Sequence, residues 1–240
     1  TTATAWLISL LGFKFSISAI ALPLVGVGFP FLFSKNVNRK SWGELIVGFA
    51  ILFLGLDYLK DSVPNISENP QVLEFFQNYT SQGFFSVLLF IGIGTILTMI
   101  IQSSSATMAL TLVMCNNGWM SFELAAAMVL GENIGTTITA VLASTVANVY
   151  AKRAARAHLI FNVFGVLWML IVFPYFIRAI GHSIVYFGGV SPFESPQSTP
   201  VALSLFHTSF NVMNVLVQVM FTPAIVKERR GGGCLPRRHV

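Results

Sequence analysis

From Phe75 to Phe122 the chain carries no Asp, Glu, Lys or Arg. One membrane crossing takes about 20 apolar residues, so this stretch is far too long for a single pass. A polar run interrupts it, Gln102-Ser103-Ser104-Ser105-Ala106-Thr107. Non-helical backbone survives at membrane depth only where it is buried in protein or lines a wet cavity. The economical solution is a re-entrant hairpin over residues 84–117 that enters and leaves on one side, its tip at Gln102 to Ser105.

Composition excludes the soluble alternatives. Charged residues are 10% and hydrophobic residues 55% of the 240 positions, whereas soluble domains carry about 25% charged residues. The net charge of +5 suggests no nucleic-acid partner, because the basic residues fall in short clusters between apolar runs. Lys35/Arg39/Lys40, Lys152/Arg153/Arg156 and Lys227/Arg229/Arg230 read as cytoplasmic loops under the positive-inside rule. Residues 61–80 hold Asp61, Glu68 and Glu74 without Lys or Arg and read as external, as do residues 191–200. Cys115 and Cys234 have no metal spacing.

Further spans are expected at residues 15–33, 44–59, 157–177 and 200–226. Residues 121–150 read as one crossing helix broken near its middle at Gly131-Glu132-Asn133-Ile134-Gly135-Thr136-Thr137. The pattern T-T-x-T-A-x-L occurs at Thr1 and again at Thr136, and H-x-x-F-N at His158 and His207. The loop charges make the two T-T-x-T-A-x-L segments run in opposite directions. Inverted repeats with broken helices are the build of many secondary transporters, with substrate near the bilayer midplane. The expected fold is an all-α membrane protein, an inverted-repeat secondary transporter with a re-entrant helical hairpin and a broken transmembrane helix.

The two polar runs supply hydroxyls, carboxamides and helix-start amides, which hold anions and also offer oxygen donors to alkali cations. No Lys or Arg lies between Glu74 and Lys152, so an anion bound there needs countercharge from co-bound cations. Against this stands the packing role of small Ser and Thr residues between membrane helices. Glu132, a carboxylate in an apolar block, reads as a cation ligand, a protonatable group or the partner of a distant cation. His158 and His207 read as interhelical hydrogen-bonding groups. A hydrolase lacks an obvious nucleophile and base, so no enzyme is expected.

Q-S-S-S-A-T at Gln102 to Thr107 and G-E-N-I-G-T-T at Gly131 to Thr137 resemble the signatures of the sodium-dependent phosphate cotransporter family. The likeness is nearest to bacterial members related to the type II animal carriers. Ala154 to Asn162 and Phe206 to Asn211 also look like that family. The resemblance implies sodium-coupled symport of inorganic phosphate in a bacterial inner (plasma) membrane, multi-pass. Sodium is then a transported ion, with no resident cofactor or transition metal. It implies phosphate contacts from Gln102, Ser103, Ser104, Ser105, Thr136 and Thr137. It implies sodium contacts from Gln102, Ser103, Asn133 and Thr136, to which Glu132 is added as a cation ligand on the strength of its own place in an apolar block.

The family pattern has an earlier Q-S-S-S hairpin, expected as a partner in the parent chain. Residues 1–43 read as the end of the first repeat with a connecting transmembrane helix. Residues 44–226 read as the second repeat with the helices that follow, and 227–240 as a linker or artefact. Neutral donors alone leave open a carrier of another oxyanion or small carboxylate, or a phosphate-sensing membrane protein that moves nothing.

Overall fold

The computed structural model describes residues 1–13, 18–63, 79 and 83–231, with side chains through Met220. The described residues are helical and contain no strand. α1 spans Thr2–Leu7 and continues as a wider π-helical turn over Ile8–Gly12. α2 spans Ser18–Leu32 and α3 Val37–Ser62, followed by α4 over Phe84–Ile101 and α5 over Ser104–Asn116. α6 spans Phe122–Ser144, α7 Val149–Tyr186 and α8 Thr199–Gly231. Five stretches among the described residues are long and apolar enough to cross a membrane: α3, α4, α6, α7 and Pro196–Met220. The protein is an integral membrane protein.

Several helix starts are written into the sequence. The carboxamide of Asn36 accepts hydrogen bonds from the amides of Asn38 and Arg39 at the head of α3. Asn148 accepts from the Ala151 amide at the head of α7, and the Ser121 hydroxyl accepts from the Leu124 amide at the head of α6. Such caps satisfy amides that have no partner within the helix.

α6 is the hub of the bundle. It packs along α4 most extensively and also touches α5, α7 and α8. Small residues allow this closeness, as they do between membrane helices generally. A Cβ at Gly131 would overlap the carbonyl oxygen of Ile91, and one at Gly94 would overlap that of Met128. The backbones of α4 and α6 therefore meet without side chains between them. The Thr95 hydroxyl crosses the same seam, 3.1 Å from the Gly131 carbonyl oxygen. α2 packs chiefly on α3.

The structure corrects several boundaries. α6 is continuous through Gly131 to Thr137, so the expected break in this helix is absent. Its polar side chains turn back onto their own helix: the Thr136 hydroxyl donates to the Glu132 carbonyl (2.8 Å), Thr137 to Ile134 (2.7 Å), and the Asn133 carboxamide to Val129 (3.0 Å). Polar residues bonded this way are satisfied inside a helix and do not interrupt it. The crossing helix also ends at Ser144, and Tyr150 belongs to α7. Lys152, Arg153 and Arg156 stand in the first turns of α7, where a loop was expected. The expected span 44–59 extends to Val37–Ser62. The expected external loop at 61–80 lies mostly outside the described residues, as do residues 232–240.

Candidate functional site

The polar run at Gln102 does break the helix. Gln102 ends α4 with φ 58°, ψ 23°, the left-handed region, and it is the single non-glycine residue with positive φ among those described. Holding an L-residue there costs about 1–3 kcal/mol and marks a place the surroundings over-determine. Its amide still reaches the Thr98 carbonyl at 2.8 Å. Ser103 is extended and caps α5, its hydroxyl accepting from the Ala106 amide at 3.3 Å. The turn is therefore two residues long, and Ser104 and Ser105 already belong to the first turn of α5.

This turn opens on a cavity of about 550 Å³ between α1, α3 and the start of α5. Ser103 and Ser105 line it, with Thr4 of α1 opposite and Leu52, Leu56 and Leu59 of α3 forming an apolar wall. Binding cavities of this size with a few convergent polar groups are typical of small-molecule sites. Among the described residues no charged side chain lines it. Gln102 is exposed beside it, and Ser104 turns to α1, its hydroxyl 2.7 Å from that of Thr1.

The second set of expected residues lies elsewhere. Glu132 is 2% exposed and accepts a hydrogen bond from the Thr111 hydroxyl at 2.7 Å. Asn133, Thr136 and Thr137 bond within α6 as described, and none of the four is among the residues lining the cavity at the serine turn. Among the described residues no group of three or more His, Cys, Asp or Glu side chains is placed to hold a metal ion.

Three contacts fasten α1 to α8. Thr2 Oγ1 lies 3.1 Å from His207 Nδ1, the Trp6 indole donates to the Thr208 hydroxyl (2.9 Å), and the Ser204 hydroxyl lies 3.1 Å from that of Ser9. The expected interhelical role thus holds for His207, whereas His158 is exposed. Locally the two H-x-x-F-N segments match. Asn162 donates to the His158 carbonyl at 3.1 Å and Asn211 to the His207 carbonyl at 2.8 Å. Sequence reading missed Thr1, Thr4 and Thr111 as site residues. Thr1 and Thr4 belong to the T-T-x-T-A-x-L segment, which was read only as a repeat, while Thr111 sits alone among apolar neighbours and only its partner in space reveals it.

Known proteins resemble this chain in sequence. The model of the Na+/Pi-cotransporter family matches residues 1–61 and 67–191. The Bacillus subtilis protein YqeW is 31% identical over 203 residues, covering 83% of this chain and 59% of that protein. YjbB of Escherichia coli, whose name assigns it inorganic phosphate export, is 27% identical over 224 residues, 93% of this chain and 38% of its own length. The mouse sodium-dependent phosphate transport protein 2C is 37% identical over 94 residues, 37% of this chain and 16% of its own. The chain thus spans less than two thirds of the length of each of these relatives. No solved structure matches it. The chain belongs to the Na+/Pi-cotransporter family, a family of carriers rather than enzymes.

Proposed function

We propose that the carrier containing this chain couples inorganic phosphate movement to sodium in symport, with the serine turn as the anion-binding element. The observation that carries this reading is the strained Gln102 and the cap Ser103 opening on the cavity of about 550 Å³. Ser103 and Ser105 face that space, and Gln102 and Ser104 flank it. Hydroxyls and the first amides of a helix are donors suited to phosphate oxygens, and α5, with 13 residues, is long enough to carry a helix dipole.

Charge balance supports the sodium coupling. Among the described residues the cavity wall supplies no cationic side chain, and a phosphate stripped of water without countercharge is prohibitively costly. Sodium ions share the anion's shell in this reading, drawing on Gln102 and Ser103 oxygens. The Thr136 and Thr137 end of α6 enters the transport path as helices shift. The turn between α4 and α5 is read as the tip of a re-entrant hairpin near the midplane.

The name of YjbB favours a second reading in which net flux runs outward. Phosphate flux through the full-length carrier in sealed vesicles, with the sodium gradient imposed in either direction, separates the readings. Symport requires phosphate to follow sodium whichever way the gradient points. Flux indifferent to sodium contradicts it.

A further inference from the structure

We propose that the carboxyl group of Glu132, held by the Thr111 hydroxyl, is a buried site for one monovalent cation, sodium or a proton, between α5 and α6. The proposal deepens the sodium-coupled reading and rests on it only in treating the ion as cargo.

Among the described residues the carboxyl group has no countercharge. Glu132 is 2% exposed, and its Oε2 has no hydrogen-bond partner among the described residues. The one ion pair among those residues, Lys40 with Glu44, is exposed at the head of α3. Every element packed on α6 gives the same answer. α4 has no titratable side chain over Phe84–Ile101. α5 contributes only Cys115, one turn beyond Thr111. On α7, Lys152, Arg153, Arg156 and His158 stand near the start, and the exposed Arg178 and His182 near the other end. Glu132 lies about 18 Å along the axis from the Ser144 end of α6, at 1.5 Å per residue. His207 of α8 has its Nδ1 at Thr2.

Hydrogen counting points the same way. Thr111 Oγ1 lies 2.7 Å from Glu132 Oε1 and 3.0 Å from the Thr107 carbonyl oxygen. A hydroxyl has one hydrogen, and both neighbours are pure acceptors when Glu132 is ionised. At Thr95 one hydrogen is shared between two carbonyls, those of Ile91 and Gly131, but neither of those acceptors carries a formal charge. A buried carboxylate given half of one hydrogen is left uncompensated, which is strongly destabilising. A proton on Oε1 resolves the count, because the acid donates to Thr111 and Thr111 donates to Thr107. A sodium ion at the free Oε2 resolves the charge instead, leaving the Thr111 hydrogen to Oε1.

The infrared spectrum of the full-length carrier in lipid, without phosphate, tests this in choline and in sodium media. A protonated carboxylic acid has a carbonyl stretch that a carboxylate lacks. The expected result is an acid band, or a carboxylate band that moves with sodium, that is lost in Glu132→Gln. An acid band unchanged by sodium identifies the proton; a band that vanishes or shifts on adding sodium identifies sodium. Thr111→Val keeps the carboxyl group and should shift the same band, which decides the matter even when Glu132→Gln fails to fold. Identical spectra of parent and both variants in both media would overturn the site, as would a sodium effect that survives unchanged in Glu132→Gln. Absence of phosphate flux with the Glu132 band present would count against the phosphate reading alone.

Discussion

The hydroxyls of Thr1 and Ser104 lie 2.7 Å apart although 103 positions separate them in the chain. The bond ties the start of α1 to the first turn of α5, beside the strained Gln102. One residue on, Thr2 reaches His207. Two consecutive threonines thus hold the serine turn against α8, so the shape of the cavity depends on how α1 is seated.

Ser104→Ala in the full-length carrier should weaken phosphate and sodium dependence together. The Ser104 hydroxyl is bonded to that of Thr1, and the variant removes one neutral hydrogen bond that seats the serine turn, worth roughly 0.5–1.5 kcal/mol, where about 1.4 kcal/mol is a factor of ten. The expected loss of phosphate affinity is therefore about two- to tenfold. Linkage makes the two ligands' losses reciprocal. Phosphate affinity at several sodium concentrations, with expression matched, reads the effect. Unchanged curves would mean that Ser104 only packs α5 against α1.

Glycine substitutions separate the α4–α6 seam from open helix faces. Gly131→Ala places a methyl group onto the Ile91 carbonyl, and Gly94→Ala onto that of Met128. Each should destabilise the protein by about 1–3 kcal/mol or more, the range of overpacked cores. Gly92 of the same α4 meets nothing within 4 Å. Gly92→Ala should be neutral or stabilise by up to about 1 kcal/mol through helix propensity. Thermal unfolding midpoints in one detergent rank the three, and equal midpoints would contradict the close approach.

The α1–α8 fastening should show as energetic coupling. Thr2→Val and His207→Phe, singly and together, form a double-mutant cycle. A coupling of about 0.5–1.5 kcal/mol is expected for a single hydrogen bond. Additive losses would mean that the two side chains are neighbours without a shared bond.

Much of this was legible in the chain itself. The charge-free stretch and its Q-S-S-S interruption locate the break at Gln102, because a serine run in hydrocarbon has few other uses. The same reasoning failed at Gly131 to Thr137, where polarity was read as interruption. There the threonine and asparagine side chains bond to carbonyls of their own helix, and the glycines admit α4. Spacing alone does not distinguish a broken helix from a self-satisfied one. Glu132 was visible as an anomaly, but its partner Thr111 was not. A threonine one turn after Thr107 in an apolar helix has no mark until the fold sets it beside the carboxyl group.

Radiolabelled phosphate flux through the reconstituted full-length carrier, parent against Ser103→Ala/Ser105→Ala, tests the central claim most directly. Sodium is varied at constant ionic strength, and thermal stability is measured alongside. The expected result is sodium-driven flux in the parent and at least a tenfold loss of phosphate affinity in the variant, with stability lowered only by the loss of the Ser103 cap, about 0.5–2 kcal/mol. Sodium-driven phosphate flux of equal affinity in both proteins would place the anion site outside the serine turn and its cavity.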